Sequence, residues 1–281
     1  MVVALFAKLM AVKNPLVTSA LVCYGVNAAG FSVTAATHTH MLTDLTGTGA
    51  FVLSAAATYA AFASQHAAQL PGKPMPLRPL ILAAAVSLWG MRLGGFLFNR
   101  ILNSPEDKRL TEFFPKKGEL PIRLLGFWTI QASWAYVSLL PVTMAMTVPP
   151  LRTAAALGPA GMVALAGFSV GFLCESIADH QKSVFKALPG KKNRPCTVGL
   201  WHYSRHPNYF GEMLVWWSLW GLSAAPMWTV ASPLFVTFLL TQVSGIPLLE
   251  KKYDKVYATD KEYQEYKSTT SLLIPLPKFS K

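Results

Sequence analysis

The sequence predicts an all-α fold, a multi-pass transmembrane helical bundle of about seven spans with its C-terminus on the cytoplasmic or matrix side. Three observations predict it. Hydrophobic residues make up 52% of the chain and charged residues only 14%, whereas charged residues are about a quarter of an average soluble domain. The apolar residues are bunched into blocks long enough to cross a bilayer, which takes about 20 residues of helix. Finally, the 25 Lys and Arg divide very unevenly between the loops on the two sides of those blocks.

The blocks follow in order. The first runs from about Pro15 to Thr37 and the second from about Gly47 to Leu70. The third, Leu80 to about Phe98, is interrupted by Arg92. The fourth runs Leu124 to Val148 and the fifth Ala154 to Cys174. A sixth, Asn208 to Ala224, begins inside a polar motif, and a short turn around Pro226 joins it to a seventh, Met227 to Leu249. The last two read as a hairpin. Residues 1–14 carry two lysines but no cleavage-type tail, so the first block is expected to be a retained membrane helix rather than a signal peptide.

Lys8, Lys13, Lys73, Arg78 and Arg152 fall on one side of the predicted membrane. The loop from Arg100 to Arg123, the loop from Lys182 to Arg205 and the segment after Glu250 carry 19 cations on the other. That bias orients the C-terminus and the large polar loops inward. It also accounts for most of the net charge of +12, so no nucleic-acid partner is implied. The three cysteines, Cys23, Cys174 and Cys196, are too few and too scattered for a disulfide framework or a zinc site. No repeat, low-complexity linker or domain boundary is visible, which leaves a single membrane domain, 1–281.

Ionisable groups at a membrane boundary are costly and usually mark a site. Glu175 and Asp179 lie four residues apart at the end of the fifth block, on one face of a continuing helix, and Lys182 and Lys186 extend the series. This face reads either as an ordinary helix end with internal ion pairs or as a surface for the ribose or amide of a cofactor. The loop Leu188–Arg194 would then supply cations for phosphates or for anionic lipid. A second cluster is Arg205, His206, Asn208, Tyr209 and Glu212. Pro207 suits the first turn of a helix, which puts Asn208 and Glu212 on one face. His202 and His206 have metal-ligand spacing, but nothing completes a set, so no metal is expected. The third candidate is Arg92, flanked by glycines that would admit a neighbouring helix or a ligand.

The segment Ser204-Arg-His-Pro-Asn-Tyr-Phe-Gly-Glu212 resembles the C-terminal signature of the steroid 5-alpha-reductase family, and most closely its uncharacterised branch. Further similarities follow in the same order. They are Trp89-Gly-x-Arg92-x-Gly, Glu106-Asp-Lys-Arg109, Gly126-Phe-Trp-x-x-Gln131, Ala178-Asp-x-Gln-Lys182, Ser244-Gly-Ile-Pro-Leu-Leu-Glu-Lys251 and Tyr263-Gln-Glu-Tyr266 followed by Ile274-Pro. The resemblance covers residues 80–277, with a cofactor-binding part at 175–266, while residues 1–75 match in hydropathy alone. It implies a membrane reductase that uses NADPH to reduce a carbon–carbon double bond conjugated to a carbonyl. Asp179, Asn208, Tyr209 and Glu212 would line the NADPH pocket, with Arg205 and His206 facing it. Lys186 falls near a family arginine that meets the phosphates, and Lys for Arg keeps the charge but loses the fork.

One departure bears on the chemistry. The better-known steroid reductases polarise the substrate carbonyl with a tyrosine early in the third span and a glutamate in the second. Here the third span reads Trp89-Gly-Met-Arg92, and the second has only Gln65 and His66 near its end. The proton donor is unassigned, with Tyr136 and Tyr59 as within-span candidates. Arg92 would stabilise the developing oxyanion.

These expectations combine into an NADPH-dependent reductase of a lipid enone or enoyl group, surrounded by membrane lipids and fed a lipidic small molecule from the bilayer. The excess of cations over 182–205 favours NADPH over NADH. Two alternatives stand beside it. One is an S-adenosylmethionine-dependent enzyme like the isoprenylcysteine carboxyl methyltransferases, which share a looser Arg-His-Pro-x-Tyr motif. The other is a non-catalytic reductase-like subunit of a larger membrane protein complex. The expected location is the endoplasmic reticulum, with the mitochondrial or bacterial inner membrane as alternatives.

Overall fold

A computed structural model describes residues 14–103, 121–149 and 156–278. Lys8, Lys13, the Glu106–Arg109 motif, Lys116, Lys117, Arg152 and the expected start of the fifth block at Ala154 lie outside them. Helix is the regular secondary structure of the described residues, which contain no strand beyond an isolated bridge between Ser204 and Ser271. The helices are α1 (Pro15–Thr37), α2 (Thr43–Gln69), α3 (Leu77–Asn103), α4 (Ile122–Ala145), α5 (Pro159–Ala187), α6 (Pro207–Ser223), α7 (Ala231–Phe238), α8 (Ile246–Val256) and α9 (Lys261–Thr269).

Five stretches are helical, long and apolar enough to cross a membrane: Pro15–Thr37, Thr43–Gln69, Leu77–Leu102, Pro159–Ala187 and Met227–Val256. The other two expected blocks are helices as well. Gln131 and several Trp and Tyr dilute the hydropathy of α4, and α6 has 17 residues, short of the ~20 that a spanning helix takes. Where one block was expected from Met227 to Leu249, the chain forms a 3-10 turn (Met227–Val230), α7, a π-helical segment (Leu239–Val243) and, after Gly245, α8. Helical structure, broken at Ser244 and Gly245, therefore runs past the expected end as far as Val256. Arg92 does not interrupt α3, which continues through it.

The chain divides into two compact units, Met1–Gly161 with Leu222–Ser232, and Met162–Gly221 with Pro233–Lys281. In the first, α2 packs against α1, α3 and α4. Its core is aromatic: the Phe51 ring lies edge-on to Trp89 at 5.1 Å and to Trp134 at 4.7 Å. Polar side chains tie the helices where hydrocarbon leaves no water to do so. Gln131 of α4 donates to Asn27 Oδ1 and to the Thr43 carbonyl, both at 3.1 Å, and Ser19 and Ser54 share a hydrogen bond of 2.8 Å. Arg78, at the start of α3, donates to the Leu222 carbonyl at 2.6 Å, satisfying a backbone acceptor near the end of α6.

In the second unit, α5 and α6 meet backbone to backbone. A Cβ at Gly211 would lie 2.7 Å from the Gly171 carbonyl oxygen and 2.6 Å from the Glu175 nitrogen, so only glycine allows the crossing. This contact sets the first turn of α6 beside Glu175 and Asp179. α9 starts from Asp260, whose side chain accepts from the Tyr263 amide.

Candidate functional site

The end of α5 and the turn that follows it are held together by one buried cluster of Ala178, Phe185, Cys196 and Trp201. The Trp201 indole donates to the Ala178 carbonyl at 2.9 Å, and the Leu200 amide donates to Gln181 Oε1 at 2.8 Å. Gly199 takes a left-handed φ of 60° to make the turn.

Beyond it, the C-terminal segment closes on residues 201–205. Tyr266 donates to the Trp201 carbonyl at 2.7 Å, the Arg205 amide to the Ser271 carbonyl at 2.8 Å, and the Ser204 hydroxyl to the Leu273 carbonyl at 2.7 Å. Ser204 Oγ also accepts from the His206 amide at 3.1 Å. Pro207 then opens α6, where its missing N–H costs nothing.

Glu250 of α8 gathers the charges. Arg205 donates to one of its oxygens and His206 Nε2 lies 2.9 Å from the other, with the Lys267 ammonium 3.9 Å away. Lys267 also pairs with Asp254, which accepts from the Tyr263 hydroxyl at 3.0 Å. The His206 ring stacks on Tyr209, with centroids 5.6 Å apart and planes 9° from parallel. Arg205, His206, Glu250, Lys182, Cys196 and three tyrosines line a small, partly open cavity of about 20 Å³, room for about one water molecule.

Burial holds the His206 pKa below its ordinary value, against the opposing pull of Glu250. The imidazole is therefore neutral at pH 7. Since a carboxylate can only accept, its one proton sits on Nε2 facing Glu250. Burial likewise pushes the Cys196 thiol up, which makes it a poor nucleophile. Asp260 is held below the usual carboxylate range, first by the Tyr263 amide and then by Arg194.

The nine residues expected to hold a cofactor all lie in this second unit. Glu175, Asp179, Glu212 and His206 are buried. Asn208 donates to Asp179 Oδ1 at 3.2 Å, which joins the two separately expected clusters, and Trp216 donates to Glu212 Oε1 at 3.0 Å. The cations expected to meet phosphates have protein neighbours of their own. Lys182 sits 4.7 Å above the Trp201 ring. Lys186 donates to the Arg194 carbonyl and lies 5.8 Å from the Tyr253 centroid. Arg194 pairs with Asp260. Arg92 and Tyr136, the expected catalytic residues, belong to the first unit. Both are half-buried, and the Tyr136 ring lies 6.5 Å from that of Tyr24.

Glu250 was quoted in a motif but given no role by the sequence reading, and Tyr266 and Lys267 were likewise unassigned. A carboxylate closing an apolar run was the available signal for Glu250. Among the described residues no group of three or more His, Cys, Asp or Glu is arranged to hold a metal ion.

Residues 30–270 match the sequence profile of a family described as a protein of unknown function, DUF1295. No curated protein and no solved structure gives a significant match.

Proposed function

The chain belongs to the DUF1295 family, and from the site that this shared region contains we propose that it is a membrane-embedded, NADPH-dependent reductase of a lipidic enone or enoyl group. The observation that carries the reading is the contact between Asp179 and Asn208. Each comes from a segment whose resemblance implies a nucleotide pocket, and they are 29 residues apart. Asn208 Oδ1 is buried with no partner among the described residues. A buried bare acceptor is costly unless something donates to it, and the carboxamide and ribose hydroxyls of a nicotinamide nucleotide are such donors.

In this reading Asp179 orients the Asn208 amide, and Asn208 and Tyr209 border the nucleotide. Glu212, fixed by Trp216, stands one turn further along the same helix. The nucleotide would supply a hydride, and the protein would supply orientation and a water-poor setting. Arg92 is retained as the candidate oxyanion stabiliser and Tyr136 as the candidate proton donor. We read all seven apolar helices as spans, with the lysine-rich C-terminal segment on the cytoplasmic side and the endoplasmic reticulum as the membrane.

The test is thermal unfolding of detergent-purified protein with NADPH, NADH or S-adenosylmethionine, followed by a screen of lipid enones. A ligand that binds only the folded state raises the melting temperature. Stabilisation by NADPH that disappears in Asn208→Ala and Glu212→Ala is the expected result. Stabilisation by S-adenosylmethionine alone would move the assignment to a methyltransferase, and no response to any of the three would favour the structural-subunit reading.

A further inference from the structure

The Arg205–Asn208 turn looks in sequence like a phosphate site, a cation and a histidine beside a basic loop. The structure gives its charges other work. Arg205 is engaged by Glu250, Lys186 by the Arg194 carbonyl and Arg194 by Asp260. Two of the three polar atoms that the turn leaves bare are acceptors. His206 Nδ1 and Asn208 Oδ1 are buried and have no partner among the described residues, and the same holds for the donor Arg205 Nε. His206 is 2% exposed and lines the small, partly open cavity.

The tautomer completes the pattern. Glu250 takes the Nε2 proton at 2.9 Å, so Nδ1 presents a lone pair. Asn208 directs its amide N–H to Asp179 at 3.2 Å, so its carbonyl oxygen is what remains. Each residue has one polar atom bonded to a carboxylate and the other a bare acceptor. These two acceptors call for N–H or O–H, which phosphate, bringing only acceptors of its own, does not offer them.

We propose that this turn reads hydrogen-bond donors of its ligand, a carboxamide N–H or a sugar hydroxyl, through His206 Nδ1 and Asn208 Oδ1, with Glu250 as the residue that positions His206. The inference rests on the nucleotide reading above and deepens it.

Two substitutions at one position split the roles of the ring. Glutamine places its amide where Nε2 stood, so His206→Gln keeps the bond to Glu250 and removes the acceptor at Nδ1. Asparagine places its amide near Nδ1, so His206→Asn keeps an acceptor there and loses Glu250. The probes are NADPH, NADH and ADP-ribose, titrated against full-length protein in detergent, with melting temperature recorded for each variant without ligand.

His206→Gln should weaken NADPH and NADH about equally, by roughly tenfold or more, since a buried donor on the ligand then goes unmet. His206→Asn should melt lower yet bind better than His206→Gln. If ADP-ribose, which lacks the carboxamide, weakens in step with NADPH, the donor is a sugar hydroxyl. If ADP-ribose is unaffected, it is the carboxamide.

A purely structural His206 predicts the reverse order, with Gln binding like wild type, and that result overturns the proposal. So does a loss in His206→Gln that is confined to NADPH, which would mean that a phosphate is being read. Wild-type protein that binds none of the probes would overturn the nucleotide reading itself and this inference with it.

A second measurement does not depend on the variants folding. The ¹⁵N signal of His206 Nδ1 should be that of an unprotonated nitrogen, and NADPH should shift it towards a hydrogen-bonded value. A protonated Nδ1 in the free protein would refute the tautomer.

Discussion

Removing Glu250 should destabilise the second unit far more than removing an ion pair of similar length at the surface. In Glu250→Ala, Arg205 and His206 lose their acceptor at once. Their side chains are 13% and 2% exposed, and that of Glu250 is 17% exposed. Breaking a fully buried charge pair costs about 3–5 kcal/mol. The residual exposure of Arg205 lets water recover part of this, so about 2–4 kcal/mol is expected.

At roughly 2–4 °C per kcal/mol for a chain of this size, the melting temperature should fall by about 5–15 °C. Asp44→Ala is the internal control. Its pair with Arg100 is 3.0 Å long, but the side chains are 50% and 30% exposed, and such pairs contribute about 0–1 kcal/mol. Differential scanning fluorimetry of both variants in one detergent makes the comparison. A double-mutant cycle with Arg205→Ala should show a coupling of at least ~1 kcal/mol. Equal shifts for Glu250→Ala and Asp44→Ala, or additivity in the cycle, would refute the role given to burial.

Three further outcomes are expected. Gly211→Ala should cost about 1–3 kcal/mol, because the new methyl meets backbone on α5 rather than a movable side chain, and NADPH-induced stabilisation should weaken with it. Lowering the pH below the ordinary histidine value of 6.5 should destabilise the second unit. The folded His206 resists protonation that the unfolded chain accepts, so stability is complete above 6.5 and falls until the depressed folded pKa is reached. His206→Gln should abolish that part of the pH dependence of melting. In the first unit, Gln131→Leu should cost about 0.6–2 kcal/mol, since Asn27 and the Thr43 carbonyl lose a donor in an apolar setting. Thermal unfolding in lipid nanodiscs would measure it.

Residues close along the chain were the legible ones. Glu175 and Asp179 were expected on one face because a helix brings residues four apart together, and Pro207 marked where α6 begins. The junction of those two segments through Asp179 and Asn208 follows from a crossing at Gly171 and Gly211. No periodicity announces that crossing, and the glycines alone do not name their partners. Glu250 lies 44 residues from His206, so their meeting is purely tertiary. The π-helical segment before Gly245 was hidden for another reason. Its composition, Leu-Leu-Thr-Gln-Val, fits an ordinary helix equally well. The partners of the basic residues were not legible. Sequence shows that Lys186, Arg194 and Arg205 are cations, but not that Arg194 and Arg205 have carboxylate partners and that Lys186 caps a carbonyl.

The closure of the C-terminal segment on the turn before α6 also has a temporal side. Ser204 bonds to a carbonyl 69 residues further along the chain, and Tyr266 reaches back 65 residues to Trp201. During synthesis, therefore, α5 and α6 are made while Arg205 and His206 still lack the groups that will neutralise and orient them. Until residues 250–273 have been made the nascent chain carries an unfinished polar centre. A nonsense codon between Tyr257 and Tyr263 would leave every apolar helix and Glu250 in place and still remove the contacts that Tyr266, Ser271 and Leu273 make with residues 201–205.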